Sequence, residues 1–266
     1  SLNTVHFSDT LTEIGTYAFE NCTGLRQLTL PDSLTTIGTG AFSGCTGLSS
    51  VTIPGQVTEI QSYVFSDCTG LREVILPETL TAVYPYAFSG CSGLREISIP
   101  DSVNTLSGYA FRNCTNLTSV SLPASWSTVG NSYWNSPFAG CTSLREITLP
   151  DGMTRIPDYA FYNCAALETA ILSDSITEIG SSAFDSCSSL AQIWVPESVI
   201  SIQNRAFYNC SALTIHGVSG SFAEQYAQSA GFPFSAETLV YETAALSGQV
   251  TDPEGNGISG LLVSLY

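Results

Sequence analysis

The chain of 266 residues contains no lysine, two histidines and seven arginines, against 23 aspartates and glutamates. Its net charge is therefore −16 at pH 7, although charged residues make up only 11% of the sequence. A surface this acidic repels nucleic acids and anionic lipids, so we expect neither as a partner. Solubility explains the acidity most simply; cationic partners or weakly held calcium are the alternatives.

The scarcity of histidine limits the catalytic chemistry. Nucleophilic catalysis needs a base beside the nucleophile, yet His6 and His216 lie near opposite ends of the chain, and no G-x-S-x-G motif is present. We therefore predict no catalytic residue, no cofactor and no enzyme activity.

Long apolar runs are absent too. No stretch approaches the length of a membrane span, and the first residues lack a charged segment followed by an apolar core. We expect no membrane insertion of this sequence. Leu2, Val5 and Phe7 begin the chain inside a repeated unit, so a signal peptide or earlier repeats are compatible with it.

What the sequence does contain is one unit repeated from end to end. Its pattern is C-x-x-L-x-x-[LIV]-x-[LIV]-P-x-x-[LIV]-x-x-[ILV]-x-x-x-A-F, and nine cysteines mark its period. Seven of the eight intervals between successive cysteines are 23 residues and one is 27. A phenylalanine precedes each cysteine by three residues and keeps the same register.

Each unit predicts one rung of a solenoid. Residues 25–30 form a short strand with Leu28 and Leu30 pointing inward, and Pro31 ends it because proline has no backbone N–H to donate. Residues 34–37 return the chain across the coil. Such a strand cannot bury its apolar face alone, so we predict about ten 23-residue rungs stacked into a parallel sheet.

The cysteine column raises the possibility of disulfides. Equivalent residues on adjacent rungs have parallel Cα–Cβ vectors about 4.8 Å apart, whereas a disulfide needs Cβ atoms about 3.5–4.5 Å apart and turned toward each other. We therefore predict reduced, buried thiols that act as small apolar side chains. A zinc site is disfavoured because the cysteines do not form C-x-x-C pairs.

The long interval falls in the sixth unit, where seven residues replace three before Pro137 and Phe138. The core spacing survives on either side, so we expect the extra residues to loop outward. Trp126, Tyr133 and Trp134 lie in this region. We predict that they bind a ligand; the alternative is that they fold back into the gap left at Pro137.

The outer face of the sheet is the second candidate site. Most of its side chains are small and hydroxylic, with glutamates at three rungs and large apolar residues at three, of which one rung carries both. The alternative is a solvated face with no ligand. The candidate ligand-binding residues on this face are Glu73, Ile75, Glu96, Glu146, Ile171 and Trp194.

The repeats extend over residues 1–218, and three further segments follow. Residues 219–236 form a helical cap, because Ser221 and Glu224 read as a capping box and Gly231 ends the helix. Residues 237–247 read as a linker. Residues 248–266 contain two alternating strands around a turn, which we interpret as the truncated first hairpin of a β-sandwich-like domain.

The repeat pattern resembles the BspA-like (Treponema-type) leucine-rich repeat of bacterial surface proteins. Residues 248–266 resemble, less specifically, the start of a carboxypeptidase-regulatory-like or Cna-B-like domain. The resemblance to the repeat family implies a secreted or cell-surface location and adhesion to host-matrix or bacterial surface proteins, with a glycan as another possible ligand. We expect a monomeric, non-catalytic binding module; a passive spacer and the accessory region of a larger surface enzyme are the alternatives.

Overall fold

The computed structural model describes residues 2–123 and 136–236. These residues form a parallel β-solenoid of about nine turns, about 23 residues apart, followed by a single C-terminal helix. The predicted fold is therefore confirmed. Each turn packs against the turns before and after it, so the core is continuous along the solenoid axis.

Three-residue strands build one face of the solenoid. They pair in parallel with equivalent residues in register, as Val51 with Val74 and Ile97 with Val120. The middle residue points into the core and its neighbours point outward, because side chains alternate along a strand. These strands are β3 (Ser50–Thr52), β5 (Glu73–Ile75), β7 (Glu96–Ser98), β9 (Ser119–Ser121), β10 (Glu146–Thr148), β12 (Thr169–Ile171), β14 (Gln192–Trp194) and β16 (Thr214–His216).

The segment predicted only to return the chain across the coil forms strands of its own. These are two residues long and also pair in parallel between turns, as Ile60 with Val83 and Val83 with Leu106. They are β1 (Glu13–Ile14), β2 (Thr36–Ile37), β4 (Glu59–Ile60), β6 (Ala82–Val83), β8 (Thr105–Leu106), β11 (Arg155–Ile156), β13 (Glu178–Ile179) and β15 (Ser201–Ile202).

Eight of the ten strands counted in the sequence are regular strands within the described residues. The segments around Val5 and Leu28 are not, although Leu28 is buried. The ladder is stretched there: the backbone N of Ser49 lies 3.4 Å from the carbonyl oxygen of Arg26, whereas one turn later Arg72 N lies 2.9 Å from Ser49 O. The strand pattern therefore weakens toward the N-terminal end.

Phenylalanine rings form an unbroken column through the core. From Phe19 to Phe207, successive rings stack with centroids 5.2–6.0 Å apart and nearly parallel planes. The column continues across the long sixth unit, where Phe111 and Phe138 stack at 5.6 Å. The extra residues therefore leave the core register intact, as predicted; residues 124–135 themselves lie outside the described residues.

The nine cysteines are free thiols, and eight of them are buried. Each buried Sγ donates to the carbonyl oxygen of the phenylalanine of the preceding turn, as Cys68 does to Phe42 at 3.1 Å. The same carbonyl accepts the backbone N–H of Cys45 within its own turn. The column is therefore part of the packing between turns, as the sequence indicated.

Two positions in each complete turn have a left-handed backbone. The one just before the cysteine is occupied by asparagine, glycine, aspartate or serine, with φ between 56° and 76°. These residues reach that conformation at the lowest cost. Along part of this column, a longer side chain alternates with glycine. Gly90 has no room for a side chain, because a Cβ there would collide with Oδ1 of Asp67 in the preceding turn.

Tyrosines hold the other left-handed position in five turns, just before the alanine of the repeat, which is Val64 in one of them. Their φ angles lie between 54° and 62°, which is unusual for so large a residue. Three of the rings stack on the surface: Tyr63 on Tyr86 at 4.9 Å, and Tyr86 on Tyr109 at 5.2 Å. The tyrosines therefore form a stacked column over these three turns.

The C-terminal helix α1 (Phe222–Ala230) closes the end of the core, followed by strand β17 (Phe234–Ser235). Ser221 is the N-cap residue but its hydroxyl makes no capping bond, and Glu224 instead accepts the backbone N–H of Gly220 at 2.7 Å. Gly231 ends the helix with φ 79°. The helix bounds were therefore predicted correctly and the capping box only in part.

We expect Phe111→Ala to lower the free energy of unfolding by about 3–5 kcal/mol, because the ring is fully buried between two stacked neighbours. Phe19→Ala is the matched control at the partly exposed end of the column and should cost less. Denaturant titration of both variants measures the difference; equal losses would argue against a core that depends on neighbouring turns.

Burial raises the pKa of the Cys45 thiol from 9.0 to about 11. The unfolded thiol therefore ionises at lower pH than the folded one, so its contribution to stability is complete below about pH 9 and is lost as the pH rises toward 11. We expect the melting temperature in reductant to fall over this range, and to fall less in Cys45→Ala. Identical pH profiles would contradict this assignment.

Candidate functional site

The outward side chains of the three-residue strands form a surface that we call the strand face. The buried middle residue of each strand fixes the direction of its two neighbours, as in β5, where Val74 is buried while Glu73 and Ile75 are exposed. The strand face therefore carries two columns of outward residues. Because the strands pair in register, a residue in one turn lies beside its equivalent in the next.

Three predicted glutamates lie in the first outward column. Glu73 and Glu96 occupy this position in the consecutive strands β5 and β7, and Glu146 occupies it in β10 after one intervening strand. All three are exposed. The structure therefore aligns them on one face, with Ser119 of β9 between the second and the third.

The predicted apolar residues lie in the second outward column. Ile75 is 51% exposed, whereas Ile171 and Trp194 are half-buried in the consecutive strands β12 and β14. Ile75 and Ile171 are four strands apart, about 19 Å at the usual spacing. The structure therefore groups Ile171 with Trp194 and leaves Ile75 separate.

His216 lies one place off the repeat spacing. Counted from Cys210, it would take the inward middle position of its strand, but the structure gives that position to Ile215 and pairs His216 with Trp194 in the second outward column. His216 is nevertheless buried, and on its other side it is in register with Ser235 of β17. The C-terminal cap therefore covers the last residue of the column.

Trp126, Tyr133 and Trp134, the remaining predicted site residues, lie outside the described residues.

Sequence reasoning missed a column of arginines along one border of the strand face, which we call the basic margin. Each arginine directly precedes the first outward position of its strand, and all are exposed. The signal was the recurring Leu-Arg pair in the repeat. The margin consists of Arg26, Arg72, Arg95 and Arg145, four of the seven arginines in the chain.

Acidic residues occupy the opposite border, which we call the acidic margin. They follow the residue that ends the strand, usually proline, and all are exposed. The signal was again present in the repeat, as Pro-Asp or Pro-Glu. The acidic margin consists of Asp32, Glu78, Asp101, Asp151, Asp174 and Glu197.

The two margins place arginines along one border of the strand face and carboxylates along the other, with Glu73, Glu96 and Glu146 directly beside three of the arginines. Within residues 2–123, Arg26, Arg72 and Arg95 form no ion pair, and Arg145 lies 3.7 Å from Glu168 with both side chains largely exposed. Exposed pairs of this kind contribute about 0–1 kcal/mol. The arginines of the basic margin are therefore exposed to solvent, with at most one weak ion pair among the described contacts.

The repeat matches the BspA type leucine-rich repeat region in six copies, over residues 1–118 and 108–227. The chain belongs to the BspA-type leucine-rich repeat family. A leucine-rich repeat protein from Bacteroides ovatus is 30% identical, with a TM-score of 0.68, over 78% of this chain and 59% of its own length. This chain therefore spans less than two thirds of that relative.

Two further solved structures are similar to this BspA-type chain. A leucine-rich cell surface protein from Faecalibacterium prausnitzii is 28% identical over 86% of this chain and 78% of its own, with a TM-score of 0.45. The Treponema pallidum leucine-rich repeat protein is 25% identical over 68% of this chain and 72% of its own, with a TM-score of 0.47. No curated protein matches the chain. The resemblance of residues 248–266 lies outside the matched ranges and stays a prediction.

Leucine-rich repeat proteins are generally non-catalytic binding modules. Burial raises the pKa of the Cys141 thiol to about 12, so the thiol stays protonated at neutral pH. His6 and His216 lie at opposite ends of the solenoid. Across residues 2–123 and 136–236, no cluster of His, Cys, Asp or Glu has the composition to hold a metal ion.

The same described residues contain no helix that is long and apolar enough to cross a membrane.

Proposed function

We propose that this chain is a non-catalytic protein-binding module of a secreted or cell-surface protein, and that it binds its partner through the strand face. The observation that carries the proposal is the polarity of this face, between the basic margin on one side and the acidic margin on the other. Membership of the BspA-type repeat family supports both the binding role and the location.

Within each strand, buried positions and outward positions differ in how much their residue type varies. At the buried middle of the strands the side chain is almost always Leu, Val or Ile, because it must pack against its equivalent in the next turn. The first outward position instead changes between Gln, Ser, Glu and Thr from turn to turn. A rigid sheet that displays varied side chains needs little ordering when it binds, which favours affinity.

The opposed margins would orient a partner. A protein with a matching acidic stripe and basic stripe is attracted in one orientation and repelled in the reverse one, which raises the association rate and the specificity more than the affinity. Ile171 and Trp194 supply an apolar contact near the C-terminal end of the strand face. Aromatic side chains of this kind are favoured as binding hot spots.

The partner that fits this surface is a folded protein of the host matrix or of a bacterial surface. Trp126, Tyr133 and Trp134 remain candidates for a second contact on the evidence of the sequence alone. A passive spacer and the accessory region of a larger surface enzyme are the competing functions.

The test is binding of the chain to an array of immobilised host-matrix and bacterial surface proteins, followed by titration of each partner with variants. We expect Trp194→Ala to weaken binding by about 2 kcal/mol through loss of an apolar contact. Arg95→Glu should slow association and reduce its dependence on salt. The matched control is Arg112→Glu, which makes the same charge change at an exposed arginine away from the strand face.

Arg95→Glu and Arg112→Glu should unfold at the temperature of the parent protein, because both arginines are exposed, whereas Trp194→Ala should unfold somewhat lower because its side chain is half-buried. The proposal is contradicted if no protein on the array binds, or if Arg95→Glu and Arg112→Glu affect a partner equally. The spacer function predicts that Trp194→Ala and Arg95→Glu leave every interaction unchanged.

A further inference from the structure

A cleft of about 470 Å³ lies away from the strand face, on the surface formed by the segments that precede the cysteines. Its described walls extend from Tyr109 and Arg112 at one end to Asp185 and Arg205 at the other. These ends are separated by four steps of the solenoid, or about 19 Å. The cleft is therefore long enough for an extended ligand that runs along the axis.

The cleft coincides with an irregularity in the tyrosine column. Tyr63, Tyr86 and Tyr109 fill this column in three consecutive turns, but Ser136 and Ser182 replace the tyrosine in two of the next three. Both serines are buried and line the cleft. The smaller side chains create a depression at these turns, and aromatic and charged side chains line its edges.

A fixed arginine stands at one end of the cleft. Nη2 of Arg205 donates to Oδ2 of the buried Asp185 at 3.0 Å, while the hydroxyl of Ser186 donates to Oδ1 at 2.8 Å. The guanidinium also lies 4.1 Å from the ring centroid of Tyr208. Because its plane is held on two sides, Arg205 presents its other N–H donors in a preorganised direction.

Aromatic faces and amides complete the lining. Tyr162 is 40% exposed and meets Tyr159 edge to face at 6.0 Å. Asn113 and Asn163 add amide donors and acceptors. At the far end, the Arg112 guanidinium lies 5.1 Å from the ring centroid of Tyr109. Two arginines against one aspartate make this cleft locally basic in a chain of net charge −16.

This lining suits a sugar better than a peptide. An extended peptide binds largely through main-chain hydrogen bonds, but here the backbone N–H groups of Tyr159, Phe161 and Asn163 already donate to the next turn at 2.8–2.9 Å. Among the described residues that line the cleft, the only aliphatic side chain is Ala139, so a peptide finds no apolar pocket for an anchor.

A sugar ring has an apolar face of C–H groups and an edge of hydroxyls. Tyrosine rings can stack against the former, while amide, hydroxyl and guanidinium groups can bond to the latter. We propose that this cleft is a binding site for a short oligosaccharide, with Tyr162 as the stacking platform and Arg205 as the principal donor to sugar hydroxyls. The proposal does not depend on protein binding by the strand face.

The experiment is calorimetric titration of the whole chain with four probes: cellotetraose, chitotetraose, a galacturonic acid tetramer and sialyllactose. We expect at least one probe to bind saturably with a dissociation constant below about 5 mM, which corresponds to a few favourable contacts. If only the acidic probes bind, the site is specific for acidic sugars. Arg112→Glu should then weaken binding of those probes.

Tyr162→Ala should weaken binding of the positive probe by about tenfold or more. Tyr63→Ala is the matched control, because its ring is also 40% exposed but lies outside the cleft. Both variants should stay folded and melt at similar temperatures, because each loses one partly buried ring with a ring neighbour, and Trp194→Ala should leave sugar binding unchanged. The proposal is overturned if no probe binds, if Tyr162→Ala and Tyr63→Ala behave alike, or if Trp194→Ala abolishes sugar binding.

Discussion

Each turn of this solenoid can satisfy its backbone groups and bury its apolar side chains only against the turns directly before and after it. The chain therefore repeats a residue type wherever a position meets its own equivalent. The phenylalanine stack, the cysteines that donate to the phenylalanine carbonyls, and the left-handed position before each cysteine all follow from this constraint. None of these columns needs a functional explanation, however prominent it is in the sequence.

The same constraint explains how much could be predicted. The sequence predicted the fold, the buried thiols and the core register across the long sixth unit, because the same weak local pattern recurs in every turn. It also predicted the helix Phe222–Ala230, from its own capping and ending residues. Counting along the repeat puts His216 one position too far inward, because the repeat loses its spacing after Cys210, although His216 does lie buried beside strand β17 of the cap. The weakening near Leu28 depends on hydrogen-bond length, which composition does not encode.

The candidate sites were harder to predict for a related reason. Glu73, Ile75 and Trp194 stood out as individual side chains, yet the polarity of the strand face comes from exposed arginines and acids in two columns that look unremarkable within a single unit. The cleft near Tyr162 is harder still, since it exists because serine replaces tyrosine in two turns. The surface of a solenoid becomes specific where the repeat varies. The spatial neighbours of a varied residue are known only once the turns are stacked.

The dependence of each turn on its neighbours alone can be tested by deleting residues 68–113, which removes two 23-residue units and joins Asp67 to Cys114 in register. If each turn depends only on its neighbours, the shortened chain should keep its β-structure and unfold in a single cooperative transition, at a lower temperature than the parent. Calorimetry and circular dichroism measure both properties. A shortened chain that is unfolded, or that lacks a cooperative transition, would contradict the account.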